Sequence, residues 1–195
     1  MCAWLGQHQT GHGLGDRGGA AGDAFLRPMD VSRQFATSPD SPEHIAVAEL
    51  SGYHRAWLHD TPAQSPDVWA VLAQAAERTH RIGLAPGVLA PMLRHPMVNA
   101  SGVATLAALA PGRAALAFGT GFNGTRALGA PSASWSYLST YVRTVRGLLR
   151  GDTVEWDGAR MRMLHPPPRT HRSDPSRSRC SYPRSAPKVS LSPTR

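Results

Sequence analysis

Cysteine is nearly absent: 195 residues hold Cys2 and Cys180, one near each end. That count and placement exclude a disulfide framework and a cysteine zinc site. No apolar run reaches the roughly 20 residues that a membrane-spanning helix needs. The first 28 residues carry seven glycines and no apolar h-region, so they do not read as a secretory signal. Carboxylates are missing over a long stretch, with no Asp or Glu between Glu77 and Asp152. The nine histidines are scattered without metal-ligand spacing. A cytoplasmic protein with no membrane attachment is the default expectation.

The formal charge of +8 suggests a nucleic-acid binder until it is located. Residues 165–195 hold seven Lys or Arg against Asp174, a net +6, which leaves +2 for the other 164 residues. The same 31 residues contain seven prolines and seven serines, a composition that cannot bury enough apolar surface to offset its ordering entropy. Three segments follow: 1–28 as a disordered extension, 29–164 as the folded domain, and 165–195 as a disordered basic tail.

Within the domain, short apolar runs alternate with helix-period segments. Asp30–Thr37 reads as a first strand. Ser41, before Pro42 and Glu43, reads as the capping hydroxyl of a first helix that ends near Gly52. Ala56-Trp57-Leu58 is a short buried run closed by His59-Asp60-Thr61-Pro62, with Trp57 and Trp69 as core aromatics. Val68, Val71, Leu72, Ala75 and Ala76 fall at i, i+3, i+4, i+7 and i+8, a helix face. A third strand covers 81–88, a third helix runs from Pro96 to Ala110 with His95 packing or capping its start, and Ala114–Phe118 is a fourth strand. Trp135–Arg150 is an amphipathic helix stopped by Gly151, and Asp157-Gly158 marks a hairpin turn. This alternation argues for parallel βα units, either in an open doubly wound sheet or in a barrel.

Gly119-Thr120-Gly121-Phe122-Asn123-Gly124 is a literal GxGxxG after a strand. A dinucleotide site needs a helix opening on that loop and an acid about 20 residues on. No helix pattern begins before Trp135, and the acid is absent, so a nicotinamide site is not expected. The loop instead suits close approach of backbone to a ligand. Asp60 closes the second strand at the end where parallel βα architectures carry their chemistry. It reads equally well as the cap of the turn with Thr61-Pro62.

Glu49-Leu50-Ser51-Gly52-Tyr53, Trp57-Leu58-His59-Asp60, Ala76-Glu77-Arg78-Thr79, Arg81-Ile82-Gly83-Leu84, Pro86-Gly87-Val88, Arg94-His95-Pro96, Ala104-Thr105-Leu106 and Pro111-Gly112-Arg113 together resemble the bacterial luciferase-like family of oxidoreductases. The resemblance runs from Asp30 to Leu164 and is greatest to the deazaflavin-dependent branch. It implies an α/β fold, a TIM (β/α)8 barrel cut to about its first four βα units plus a hairpin. The implied cofactor is FMN or coenzyme F-420, held at the C-terminal face, with a small organic molecule as substrate. It places a non-prolyl cis peptide at Gly87-Val88 behind the cofactor ring, Gly119, Thr120 and Gly121 along the ring, and Asp60 near ring and substrate as the catalytic residue. Some relatives carry an acid after the second glycine of this loop; here it is Phe122, so proton donation from the loop is not expected.

The later βα units of such a barrel, with the loops that hold the cofactor phosphate, do not follow residue 165. Shifted by one base, Ser176–Val189 admits a reading that ends Gly-Pro-Lys-Gly and is similar to the family's fifth strand and turn. The expectation is a frame lost between His165 and Pro175, and hence a truncated chain with weak or absent catalysis. A half barrel also exposes strand edges, which invites self-association. From a different class, a nucleic-acid-binding protein would use the basic tail on phosphate and lose affinity steeply with salt. That tail offers a single stacking aromatic, Tyr182.

Overall fold

A computed structural model describes residues 3–5 and 29–164 of the chain. The basic tail, the shifted-frame segment and most of the 1–28 extension lie outside the described residues. Strand β1 is Ala3–Leu5, β2 Ser32–Phe35, β3 Arg55–Leu58, β4 Gly83–Leu89 and β5 Leu116–Phe118. Helices α1 (Ser41–Leu50), α2 (Val68–Arg78) and α3 (Pro96–Leu109) alternate with them. After β5 come a one-turn helix α4 (Asn123–Ala127), a long α5 (Trp135–Arg150) and the hairpin β6 (Val154–Trp156) and β7 (Ala159–Met161).

The sheet order is β1-β5-β4-β3-β2. Pairing among β2, β3, β4 and β5 is parallel throughout. Successive helices pack in a row, α1 on α2, α2 on α3, α3 on α5. Ala56, Leu58, Leu84, Leu116 and Phe118 face them, in one core with Ile45, Leu72, Val103, Leu106 and Val145. The other residues of each strand, Gln34, Arg55, Trp57, Gly83 and Gly87 among them, look the opposite way. A cross-strand set of that kind, backed by helices on one side alone, is half of a βα barrel rather than a doubly wound sheet.

Four details depart from the sequence expectation. Ser41 does not cap α1: Asp40 holds the cap position, and the Ser41 hydroxyl donates to the Ala36 carbonyl and accepts from Ser38 N–H, pinning the turn after β2. Trp57 is not in the core. An apolar run of three does not reveal its facing, and Trp57 lies on the inner face, half-buried, with the Arg55 guanidinium 5.6 Å from its ring centre. Trp69 packs partly buried on the core, as expected. A helix does open on the glycine-rich loop, α4, because Gly121 (φ +76°) turns the chain back over the neighbouring strand ends. Finally, Ala3–Leu5 pairs antiparallel with β5, in the 1–28 extension read as disordered; it covers the outer edge that the fourth barrel strand would otherwise present.

The hairpin turns as its Asp-Gly requires, with Asp157 at φ 48° and Gly158 at φ 75°. Its Trp156 is buried against α5, edge-on to Tyr137 and Tyr141 at 5.5 Å. At the N-terminal face, Glu49 accepts from the N–H groups of His80, Arg81 and Ile82. There Arg113 donates to the Thr79 hydroxyl and to the Ile82 and Ala76 carbonyls. Much of the motif set Glu49, Thr79, Ile82 and Arg113 therefore closes the bottom of the half barrel, where barrel folds keep stability rather than chemistry. Among the described residues no helix is long and apolar enough to cross a membrane.

Candidate active site

The C-terminal ends of β2 to β5 gather the candidate residues onto one face. The Thr37 hydroxyl, just past β2, donates to the His59 carbonyl and ties the first two ends together. Asp60 follows, with a side chain only 2% exposed, ion-paired to Arg94. Arg94 reaches Asp67 as well, at 2.7 Å. Asp67 in turn caps α2, accepting from Trp69 N–H at 2.9 Å and Ala70 N–H at 3.1 Å. Burial pushes the Asp60 carboxyl above its ordinary range despite the opposing pull of Arg94. Asp67 is the reverse case: burial raises it, but Arg94 and the two cap N–H groups hold it below its usual range.

Arg94 is itself fixed from behind. The Tyr141 hydroxyl donates to the Arg94 carbonyl at 2.8 Å and accepts from the Asn99 amide at 2.8 Å. Asn99, fully buried on α3, accepts in turn from the Trp69 indole at 3.1 Å. Burial raises the Tyr141 hydroxyl far above its ordinary pKa, so it stays protonated and can keep donating. A chain of hydrogen bonds thus runs from the helix layer to the carboxylate on the site face, each buried group having a partner.

The Gly87–Val88 peptide is cis, where the family resemblance places one, and β4 bulges there against β5. The Gln34 amide donates to the Gly87 carbonyl at 3.1 Å. A Cβ on Gly87 would sit 2.7 Å from the Trp57 ring, one on Gly119 2.9 Å from the Val88 Cγ2, and one on Gly121 2.9 Å from Ala90 Cβ. Glycine at 119 lets segments 87–88 and 119–121 lie side by side, glycine at 87 makes room for the Trp57 ring, and glycine at 121 for Ala90 and Thr125. Val88, Gly119, Thr120 and Gly121 are each part-exposed and Gly87 is buried, so at positions 119 and 121 the exposed surface is backbone. Glycine at those positions permits close approach of a ligand to the backbone. Asp60, Gly87, Val88 and Gly119–Gly121, singled out in the sequence, are brought to one face. Thr120 enters through its backbone, its carbonyl accepting from Ala133 N–H at 2.8 Å.

Sequence reasoning missed Arg94, Asp67 and Gln34. Arg94 lies 34 and 27 residues from its two carboxylates, beyond any local pattern. For Gln34 a signal existed: its alternation with Phe35 in a short strand marks it as facing away from the helices.

The fold and this face define a luciferase-like half barrel. The chain belongs to the luciferase-like monooxygenase family, whose model matches residues 24–187, a wider span than the resemblance from Asp30 to Leu164. Over 90 residues it is 39% identical to a 5,10-methylenetetrahydromethanopterin reductase of Methanopyrus kandleri, covering 44% of this chain and 26% of that one. Over 124 residues it is 35% identical to an F-420-dependent glucose-6-phosphate dehydrogenase of Mycobacterium avium, covering 60% of this chain and 37% of that one. Among solved structures, the coenzyme F-420 dependent tetrahydromethanopterin reductase of Methanopyrus kandleri superposes with a TM-score of 0.56 at 27% identity, over 71% of this chain and 46% of that one. A monooxygenase of Streptomyces bottropensis gives 0.56 at 27% identity, over 68% and 45%. The chain spans less than half the length of each of these relatives.

Proposed function

We propose that this chain carries the ring-binding half of a flavin- or deazaflavin-dependent oxidoreductase acting on a small organic substrate. The observation that carries this reading is the cis Gly87–Val88 segment packed against the part-exposed loop Gly119–Gly121, set beside a carboxylate that Arg94 fixes in place. The names of the F-420-dependent relatives favour coenzyme F-420 over FMN. Either would supply hydride transfer when bound, and FMN would add oxygen chemistry. The chain's own residues bind and orient: segments 87–88 and 119–121 support the flat face of the ring, Gln34 satisfies the Gly87 carbonyl behind it, and Asp60, held by Arg94 past the end of β3, is the catalytic group of this reading. Arg94 takes Asp60 Oδ2 and so restricts how that carboxyl can turn.

Self-association belongs to the same reading, because the outer edge of β2 has no strand partner among the described residues. The test is a fluorescence titration with coenzyme F-420 and with FMN on the intact chain and on Gly119→Leu. Saturable binding that Gly119→Leu removes supports the proposal; binding that the leucine leaves unchanged contradicts it.

A further inference from the structure

The loop after β5 carries an aromatic side chain and a cation packed together, on the same face as Asp60. Gly121 turns the chain into α4, where Gly124 rests on β3's end: a Cβ there would lie 3.6 Å from the Asp60 carbonyl oxygen and 3.5 Å from Leu93 Cδ1. That contact seats α4 directly over the candidate site. Phe122 is 65% exposed, and the Arg126 guanidinium carbon lies 5.3 Å from its ring centre. A guanidinium laid on a ring keeps its in-plane N–H edge free, and that edge matches a carboxylate or phosphate.

The surrounding charge favours an anion. No Asp or Glu occurs between Glu77 and Asp152, so the whole stretch from α3 to α5 offers no carboxylate. Asp60 and Asp67, the acids of the candidate site, are both taken by Arg94. Among the described residues no ion pair reaches Arg126. The rim continues through Ala133, whose N–H bonds the Thr120 carbonyl, to Trp135, which is 60% exposed. The loop thus offers a cation held on one aromatic ring, a second exposed aromatic, and no competing acid.

We infer that Phe122 and Arg126 form a specificity site at the mouth of the C-terminal face, for an aromatic or other planar substrate bearing a carboxylate or phosphate. The oxyanion takes the free edge of Arg126 and the planar part packs on the aromatic rim. As a substrate site this rests on the proposed function; as an anion site it stands on its own geometry. Both side chains are exposed, so variants at either position keep the fold.

The test is calorimetric titration of the intact chain with phenyl phosphate, benzoate, inorganic phosphate and neutral benzyl alcohol, with lumiflavin titrated in parallel. Phenyl phosphate and benzoate should bind about tenfold tighter than benzyl alcohol, the scale of one charge-assisted hydrogen-bonded contact. Arg126→Gln should remove that preference, Arg126→Lys should keep part of it, and Phe122→Ala should weaken phenyl phosphate while leaving inorganic phosphate unchanged. Lumiflavin binding should be indifferent to Arg126→Gln. Equal affinities in the unaltered chain, or a preference that survives Arg126→Gln, would overturn the inference. Loss of lumiflavin binding alone, with the anion preference intact, would remove the cofactor reading and leave this site standing.

Discussion

Arg94 is ion-paired to Asp60, and neither side chain is more than 12% exposed. Removing one partner of such a pair leaves an uncompensated buried charge, at roughly 3–5 kcal/mol. Arg94→Ala should cost about that much in urea unfolding, and Arg94→Lys should recover part of it. The sign of the pH dependence follows from burial, which raises Asp60 above its ordinary pKa. A raised acid stabilises the fold below its unfolded pKa, and that contribution is lost as pH rises through the folded value. Without Arg94 the carboxyl rises further, so the cost of Arg94→Ala should be smallest in acid and grow towards neutral pH. A cost that does not change with pH would contradict this pairing.

Glu49 gives the opposite pH signature. Burial raises its pKa, but the N–H groups of Ile82, Arg81 and His80 outweigh that and hold it below its ordinary value. Its contribution is complete above the unfolded value and is lost as pH falls through the lowered one. Glu49→Gln should cost on the order of 1 kcal/mol at neutral pH, kept small by solvent. It should also flatten the acid limb of a stability–pH curve.

Gly102 on α3 makes room for the Trp69 indole: a Cβ there would lie 2.6 Å from the ring. Gly102→Ala should destabilise by about 1–3 kcal/mol through overpacking, despite the better helix propensity of alanine. The same indole donates to Asn99, so the shift should also disturb the hydrogen bonds behind Arg94. In a Trp69→Phe background the penalty should shrink, which a double-mutant cycle measures.

The two edges of the sheet differ. β5 is covered by Ala3–Leu5, whereas the outer side of β2 has no strand on it among the described residues. Sedimentation velocity should show concentration-dependent association, and Ser32→Lys on the exposed β2 should reduce it. Monomeric behaviour at all concentrations would count against an open edge.

Much of this was readable where a local rule decides the outcome. Periodicity and Gly151 fixed α5 at Trp135–Arg150, and Asp157-Gly158 could form little other than the turn it makes. His95 caps α3 through its ring, as the pattern before Pro96 suggested. The resemblance placed Asp60, Gly87–Val88 and Gly119–Gly121 in one neighbourhood, and the fold assembles them. What escaped depends on contacts distant in sequence. Trp57 faces inward because of strand register, Ser41 serves the preceding turn rather than its helix, and α4 forms where Gly121 turns the chain and Gly124 settles on β3's end. Arg94 gains its meaning only when β3 and the start of α2 come together around it.

Ring binding at Gly87–Val88 and Gly119–Gly121 can be read by mapping amide shifts on adding lumiflavin, a flavin ring without a phosphate. Saturable shifts should cluster at residues 87–88, 119–121 and 60, and be absent in Gly119→Leu. Shifts confined to the N-terminal face around Glu49 and Arg113, or none at saturating lumiflavin, would contradict it.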